Sequence, residues 1–261
     1  MKTAWQFVVV GLVFVGCQAG PGEVFTIPAA PTSTVGEEVT LPEGTEPTLA
    51  TKVDVPNPEP IDGMILRIHA GGQLVVPLTA LRKQLQQDLT LELWVWLEED
   101  GDQLIMATSN SSLRLLLHQG RLCGEVATIR LHGPVVKRHE WYHVALIVEG
   151  EQARLHVNGA FQAREFLPSP RWERPRGALI MGHFPTNMPS FVGQVDNLRL
   201  VADVVYTKLY FPTSHHLIPV DDALFGFDFE QEAPGGVIPD VAGNDNHARL
   251  YGKASVGPGQ I

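Results

Sequence analysis

Three groupings of side chains in this sequence have the types and spacing for chemistry. The loop "PDVAGNDN" puts Asp240, Asn244, Asp245 and Asn246 within seven positions. Calcium takes six to eight oxygen ligands from such carboxylates and amides, so Asp240, Asp245 and Asn244 are a candidate calcium site. A second acidic group, "EEDGD", spans Glu98 to Asp102. Turns demand Asp, Asn and Gly for their own backbone reasons, so loop anchoring is the competing reading of both. The second grouping is aromatic. Trp94 and Trp96 alternate in "LTLELWVWL", and Trp172 sits among Arg171, Arg174 and Arg176 in "PSPRWERPRG". Indole rings beside arginines can stack on sugar rings and hydrogen-bond their hydroxyls, or can simply pack. The third is Trp141-Tyr142-His143, which opens "WYHVALIVEGEQARLHVNG". A nucleophilic triad would need a partner for His143, and its sequence neighbourhood offers no nucleophile, the nearest carboxylate being Glu140. "HEWYH", His139 to His143, has HExxH spacing, but that motif holds zinc on a helix, and an extended chain separates the two rings by about 13 Å, so no zinc site is expected.

The elements that must position these groups read as strands. From about Gly63 onward, short β-branched and aromatic runs recur between Gly, Asp, Asn and Pro turns, the pattern of an all-β sandwich. The runs are "MILRIH", "QLVVP", "LTLELWVWL", "QLIMATS", "SLRLLLH", "RLCGEVA", "WYHVALIVE", "QARLHVN", "AFQAREF", "ALIMGHF", "FVGQVDNLRLV", "ALFGFDF" and "HARLYG". "LTALRKQLQQD", Leu78 to Asp88, reads as one helical turn. Alternation assigns the faces. Leu89, Leu91, Leu93, Val95 and Leu97 face the core, which puts Thr90, Glu92, Trp94 and Trp96 on the outside. Tyr142, Val144, Leu146 and Val148 oppose Trp141, His143, Ala145 and Ile147. Both sets are mostly apolar, as expected of a central, covered strand. "FVGQVDNLRL" is mixed on both faces, as at a bend or sheet end. Glu149-Gly150 and Asn158-Gly159 are the expected turns, the latter a strong hairpin signal.

Ahead of the strands lie two segments of another kind. Hydrophobic content of 44 % and charged content of 18 % are ordinary for a globular chain, but the net charge of −10 is unevenly spread. Residues 18–62 hold eight acids and one base and are rich in Pro, Thr, Glu and Gly. Such a segment cannot bury enough apolar surface to offset its ordering entropy. It reads as a tether of roughly 120 Å if extended or about 35 Å as a coil. Lys2 and the apolar run "AWQFVVVGLVFVGC" read as an export segment, too short to span a bilayer as a helix. "FVGC" resembles the lipobox of bacterial lipoproteins, with Phe14 at the usual Leu position. The resemblance implies cleavage after residue 16 and a lipid on Cys17. With Cys17 lipidated, Cys123 has no disulfide partner and reads as a small buried hydrophobe. No stripe of Lys and Arg favours a phosphate backbone, so nucleic acid is not an expected partner.

Four stretches together resemble the laminin-G-like, concanavalin A-like jelly-roll family: "LTLELWVWL", "EWYHVALIVEGEQARLHVNG", "LIMGHF" with "FVGQVDNLRL", and "FGFDFEQ" with "IPDVAGNDNHARLYG". "YTKLYFPT" is similar to a tail found in one version of that family. The resemblance covers roughly residues 63–252. It implies an all-β fold of two antiparallel sheets with six or seven strands each, the domain's two ends meeting at one edge. It also brings two chemistries to test. Some relatives bind calcium. Laminarinase-like members carry catalytic carboxylates on one strand as E-x-D-x-x-E, for which retaining hydrolysis needs a separation of about 5–5.5 Å. The nearest counterpart here, "GQVDNLRL", has Gln194 at the first acid position and Arg199 and Leu200 near the last.

The expected organisation is a signal peptide over 1–16, a tether over 17–62 and a jelly-roll domain over 63–261. The expected protein is an exported lipoprotein held at the cell envelope, at the outer membrane or cell surface. Its domain would bind a glycan or extracellular polymer without catalysis, with Trp94, Trp96, Trp172, Arg171 and Arg174 as candidate contacts. The alternative is an adhesive or structural module for a surface protein, and a glucanase comes third. Calcium is the one cofactor to test.

Overall fold

The computed structural model describes residues 63–79, 81, 88–168, 172–208, 213 and 222–259. All of them belong to one compact unit, Ala50–Ile261. Cys17, the export segment, the tether and most of the helix-like stretch Leu78–Asp88 lie outside the described residues.

Sixteen strands follow in chain order: β1 Met64–Ile68, β2 Gln73–Pro77, β3 Leu89–Leu97, β4 Gln103–Thr108, β5 Leu113–His118, β6 Arg121–Val126, β7 Ile129–Val135 and β8 Trp141–Glu149. The rest are β9 Gln152–Val157, β10 Ala160–Phe166, β11 Ala178–Gly182, β12 Gly193–Val201, β13 Ala223–Phe227, β14 Val237–Ile238, β15 Ala248–Tyr251 and β16 Ala254–Pro258. Every run read from the sequence forms a strand. Three strands were not anticipated: β7, β14 and β16. β7 contains Gly133-Pro134 and β16 contains Gly257-Pro258, the residues that argue against a strand. Both strands lie at sheet edges, where a missing ladder donor is tolerated.

The strands form two antiparallel sheets of eight, rather than six or seven, stacked as a jelly-roll sandwich. Sheet A runs β10-β9-β8-β3-β12-β1-β16, with β13 also paired to β12. Sheet B runs β14-β15-β2-β11-β4-β5-β6-β7. β1 pairs with β16 from Met64↔Pro258 to Ile68↔Ala254, so the two ends of the domain do meet at one edge. The inner faces supply one continuous core, including Leu91, Leu93 and Val95 from β3 and Val144, Leu146 and Val148 from β8. Eight of the nine residues of β8 are buried, as its two apolar faces require. The Asn158-Gly159 hairpin has positive φ at both residues (49° and 75°), the conformation Asn-Gly favours. The turn before it sits at Gly150-Glu151, one residue later than expected, where Gly150 takes the positive φ.

The mixed pattern of β12 has a single cause. Its pairing with β3 slips between Asp196 and Arg199, and Asn197 adopts φ 50°. The extra residue of a bulge reverses the alternation. Val195 points into the core before the bulge, and Leu198 and Leu200 point into it after. Gln194, Asp196 and Arg199 therefore share the outer face, where simple alternation separated Arg199 from the other two.

At the start of β12, a Cβ on Gly193 would overlap the Trp96 carbonyl oxygen and the Phe191 ring. A neighbouring strand's backbone cannot yield as a flexible side chain can. Gly193→Ala is expected to lower stability by about 2–3 kcal/mol, read as a lower urea midpoint with unchanged slope.

Candidate functional site

The outer face of sheet A collects most of the residues with chemical potential. The register lays Trp141, Trp96, Gln194 and Arg67 in one row across β8, β3, β12 and β1. The next row brings His143 beside Trp94 and Trp94 beside Asp196. The row after that pairs Ala145 with Glu92 and Glu92 with Arg199. Ile65, Trp94 and Trp141 form a buried cluster on this face, with half-buried Trp96 against it.

Glu92 is the centre of the buried polar network. Its Oε1 accepts a bond from Arg199 Nε, and its Oε2 lies 3.2 Å from His143 Nε2 and accepts the Tyr206 hydroxyl at 2.5 Å. His143 therefore does have a carboxylate partner, supplied by a strand some fifty residues away rather than by its sequence neighbours. Burial alone would raise the Glu92 pKa. The hydrogen bond and charge of His143, the charge of Arg199 and the Tyr206 hydrogen bond outweigh it, so the carboxyl titrates below its ordinary value. Tyr206, pushed up by burial and by the Glu92 charge, keeps its proton.

Tyr206 belongs to a strap, residues 202–208, that crosses this face after β12. Arg154 Nη2 donates to the Tyr206 carbonyl at 3.2 Å, and His156 Nε2 meets the Lys208 carbonyl at 3.3 Å. Thr90 Oγ1 donates to the Asp203 carbonyl at 2.8 Å and accepts from the Val205 N–H at 3.1 Å. No strap residue is itself fully buried, so polar bonds hold it rather than apolar packing. Under it, burial drops the His156 pKa to about 4.

Asp196 is 1 % exposed, and both its oxygens accept from Asn197, the backbone N–H at 2.8 Å and Nδ2 at 2.7 Å. Burial, helped by the charges of Glu230 and Asp228, raises its pKa to about 8 against the Asn197 hydrogen bonds. The carboxyl is neutral at physiological pH.

The residues singled out in the sequence separate accordingly. Trp94 is 1 % exposed and packs edge-on against His143, ring centroids 5.3 Å apart; it is wall and not a platform. Trp172 is buried in the main core between the sheets, which removes it as a contact as well. Trp96 keeps partial access near the end of β3. The exposed His139 ring stacks on it at 6.0 Å and 29°, and Trp141 lies tilted behind at 5.7 Å. Gln194 Nε2 reaches Glu98 Oε1 at 3.5 Å beside it. Arg174 is exposed, and its carbonyl accepts from Asn110 Nδ2 at 2.8 Å. Arg171 lies outside the described residues.

The calcium expectation does not fit the loop. Asp240 Oδ1 accepts the N–H groups of Gly226 (2.9 Å) and Ala242 (3.0 Å), and Oδ2 those of Asn244 and Asn246 (3.2 Å each). Four donors use the roughly four lone-pair sites of an ionised carboxylate. A cation on the same oxygens would face four N–H dipoles. Asn244 turns its amide to the Ala223 carbonyl at 2.7 Å, and Asp245 is exposed at φ 55°. The cluster ties its loop to β13. Among the described residues no group of three or more His, Cys, Asp or Glu is placed to hold a metal.

Two stacked antiparallel sheets with this strand order define a jelly-roll sandwich of the lectin type. The model of the concanavalin A-like lectin/glucanases superfamily matches residues 70–206, and the chain belongs to that family. No curated protein matches it. Among solved structures it resembles a Bacteroides ovatus protein whose suggested role is carbohydrate binding, with a TM-score of 0.62 at 16 % identity. That match covers 78 % of this chain and 62 % of the other, so the chain spans less than two thirds of its length. A SAP-like pentraxin from Limulus polyphemus matches at TM-score 0.45 and 14 % identity, over 56 % of this chain and 78 % of that one. Domains LG4-5 of the mouse laminin α1 chain match at 0.43 and 16 %, over 62 % and 47 %. At these identities the likeness is one of fold.

Asp196 generates a pH test. Its folded pKa of about 8 exceeds the ordinary 3.8. Between those values the folded protein holds a proton that the unfolded chain releases. The stability it contributes is complete below 3.8 and is lost as pH rises through about 8. His156 works in the opposite sense, losing its contribution as pH falls from 6.5 toward 4. Asp196→Asn is expected to remove the alkaline decline and leave the acid limb intact, measured by urea unfolding across the window.

Proposed function

We propose that this domain binds a glycan or related extracellular polymer without catalysing its turnover. The contact surface in this reading is the open end of the outer face of sheet A. The carrying observation is the Trp96–His139 stack, which keeps an aromatic ledge partly accessible while Trp94, Trp141 and His143 on the same face are buried. Glu98 and Arg67, both partly exposed, flank it and offer an acceptor and a donor suited to sugar hydroxyls. The suggested role of the Bacteroides ovatus protein agrees with this reading. Hydrolysis is disfavoured because Glu92 and Asp196, the two buried carboxylates of this face, are both committed to internal partners and neither reaches solvent.

The second reading is a protein-binding module. β10 favours it, an edge strand whose Phe166 is 63 % exposed. A glycan array probed with the full chain separates the two. Binding to one glycan class, weakened roughly tenfold in Trp96→Ala, a loss of about 1.4 kcal/mol, supports the first reading. Silence on every glycan together with capture of a surface protein replaces it with the second.

We further infer that the domain is held at the cell envelope by lipid on Cys17, with residues 18–62 as the stand-off segment. Two acyl chains would suffice for stable anchoring, each buried methylene adding about 0.8 kcal/mol. Cells fed a labelled fatty acid should label the wild-type chain and not Cys17→Ala, and the variant should leave the membrane fraction. Equal labelling of both defeats the assignment.

A further inference from the structure

The outer face of sheet B carries a second polar array, remote in the sheet order from the Trp96 ledge. β5, β6 and β7 are neighbours, and the register sets Arg114 opposite Glu125 and Glu125 opposite Arg130. Strand spacing places the two arginines about 10 Å apart at the backbone, yet both guanidinium groups reach back to the one carboxylate between them. Arg130 holds Oε1 through Nε and Nη2, each at 2.7 Å. Arg114 Nε lies 3.1 Å from Oε2, within ion-pair distance but outside hydrogen-bond geometry. Arg121, also on β6, donates Nη1 to the Gly133 carbonyl at 3.0 Å. The charges of Arg130, Glu125 and Arg121 all reach the buried Cys123 thiol between them.

The charges do not cancel. Arg114 and Arg130 share one internal carboxylate, Glu125, and Arg121 is held by a carbonyl. Asp102 is hydrogen-bonded to the His118 ring at 2.6 Å and the Gln119 N–H at 2.8 Å, and only a minor part of its charge interaction is with Arg130. Glu125 has a side chain only 10 % exposed and is spent on its partners, whereas Arg114 and Arg130 are 36 % and 37 % exposed. Each guanidinium has five donors, and Glu125 fixes the position of both without using most of them. Such a pre-ordered pair pays less entropy to take an oxyanion than two free side chains would.

We propose that Arg114, Arg130 and Arg121 form a binding site for the anionic groups of a polysaccharide, sulfate esters or uronate carboxylates. Both groups present the paired oxygens that a guanidinium fork matches. The site goes beyond the Trp96 reading and stands on the opposite sheet, so each can fail without the other.

The test is titration of the full chain with dextran sulfate, polygalacturonate and uncharged dextran at low and moderate salt. One or both anionic polymers should bind, more weakly as salt rises, and dextran should not bind through this site. The two anionic arms tell sulfate from carboxylate. Arg114→Gln/Arg130→Gln should weaken binding roughly tenfold or more. Because that change strands the Glu125 charge, the triple variant Arg114→Gln/Glu125→Gln/Arg130→Gln, which leaves no buried charge, should show the same loss with its unfolding midpoint retained. Lys253→Gln, an equally exposed cation at the far side of the sheet, should change affinity less than about twofold. The proposal is overturned if neither anionic polymer binds, if dextran binds as tightly as its sulfate, or if the folded triple variant binds like wild type.

Discussion

The outer architecture of sheet A depends on one buried carboxylate. Glu92 sits mid-strand in the otherwise apolar β3, and removing its charge from water costs several kcal/mol unless donors replace the solvent. Three do, from three separate places: Arg199 on β12, His143 on β8 and Tyr206 on the strap. The carboxylate thus ties its own strand to both sheet neighbours and to the segment that crosses above them. Apolar packing holds the two sheets together through their inner faces. It says little about what lies on the outside. That layer is specified by charge satisfaction, because any other course for the strap would leave Glu92 or Arg199 short of a partner in a dry environment.

This division decides where ligands can go. A jelly-roll sheet with Trp94, Trp141 and His143 outward looks like a ready aromatic platform. Yet all three are buried, and the strap bonds lie across the adjoining rows. Accessible chemistry is pushed to two margins. One is the end of β3, where His139 caps the Trp96 indole. The other is sheet B, where Arg114, Arg121 and Arg130 stand on the outer face. The first offers a flat ring with neutral and acidic hydrogen-bonding neighbours. The second offers oriented cations. Acceptors for hydroxyl donors and donors for oxyanions suit different groups, and here they stand on opposite sheets.

Much of the frame was legible in the sequence because its signals are local. Alternation in "LTLELWVWL" and "WYHVALIVE" set the inner and outer faces of β3 and β8 correctly, and Asn158-Gly159 announced its hairpin. The edge strands β7 and β16 were hidden by their Gly-Pro pairs, which are breaker signals everywhere except at an edge. The site was less legible. Trp172 looked like a loop-tip contact in a Pro- and Arg-rich stretch, but its large apolar surface is drawn into the core. Asp240 looked like a ligand, but the same oxygens close a turn. The Glu92 partners could not be read at all. Arg199 and Tyr206 stand over a hundred positions away, and only the pairing of β3 with β12, which no local pattern encodes, brings them together.

The slip in β12 is the step that makes this pairing productive. With strict alternation from Val195, Leu198 would point outward and Arg199 into the core, an uncompensated charge among Leu and Phe side chains. One extra residue cures both faults at once. Asn197 is suited to it, since Asn tolerates the left-handed conformation better than most residues. Asp196 stabilises it by accepting both the Asn197 backbone N–H and its side-chain amide. Those bonds are made by a carboxyl that burial keeps neutral, so the bulge adds no second charge beside Glu92. The dipeptide Asp196-Asn197, which lies in the stretch "GQVDNLRL", works here as backbone chemistry. It turns Arg199 toward Glu92, and through Glu92 it determines that this face is covered.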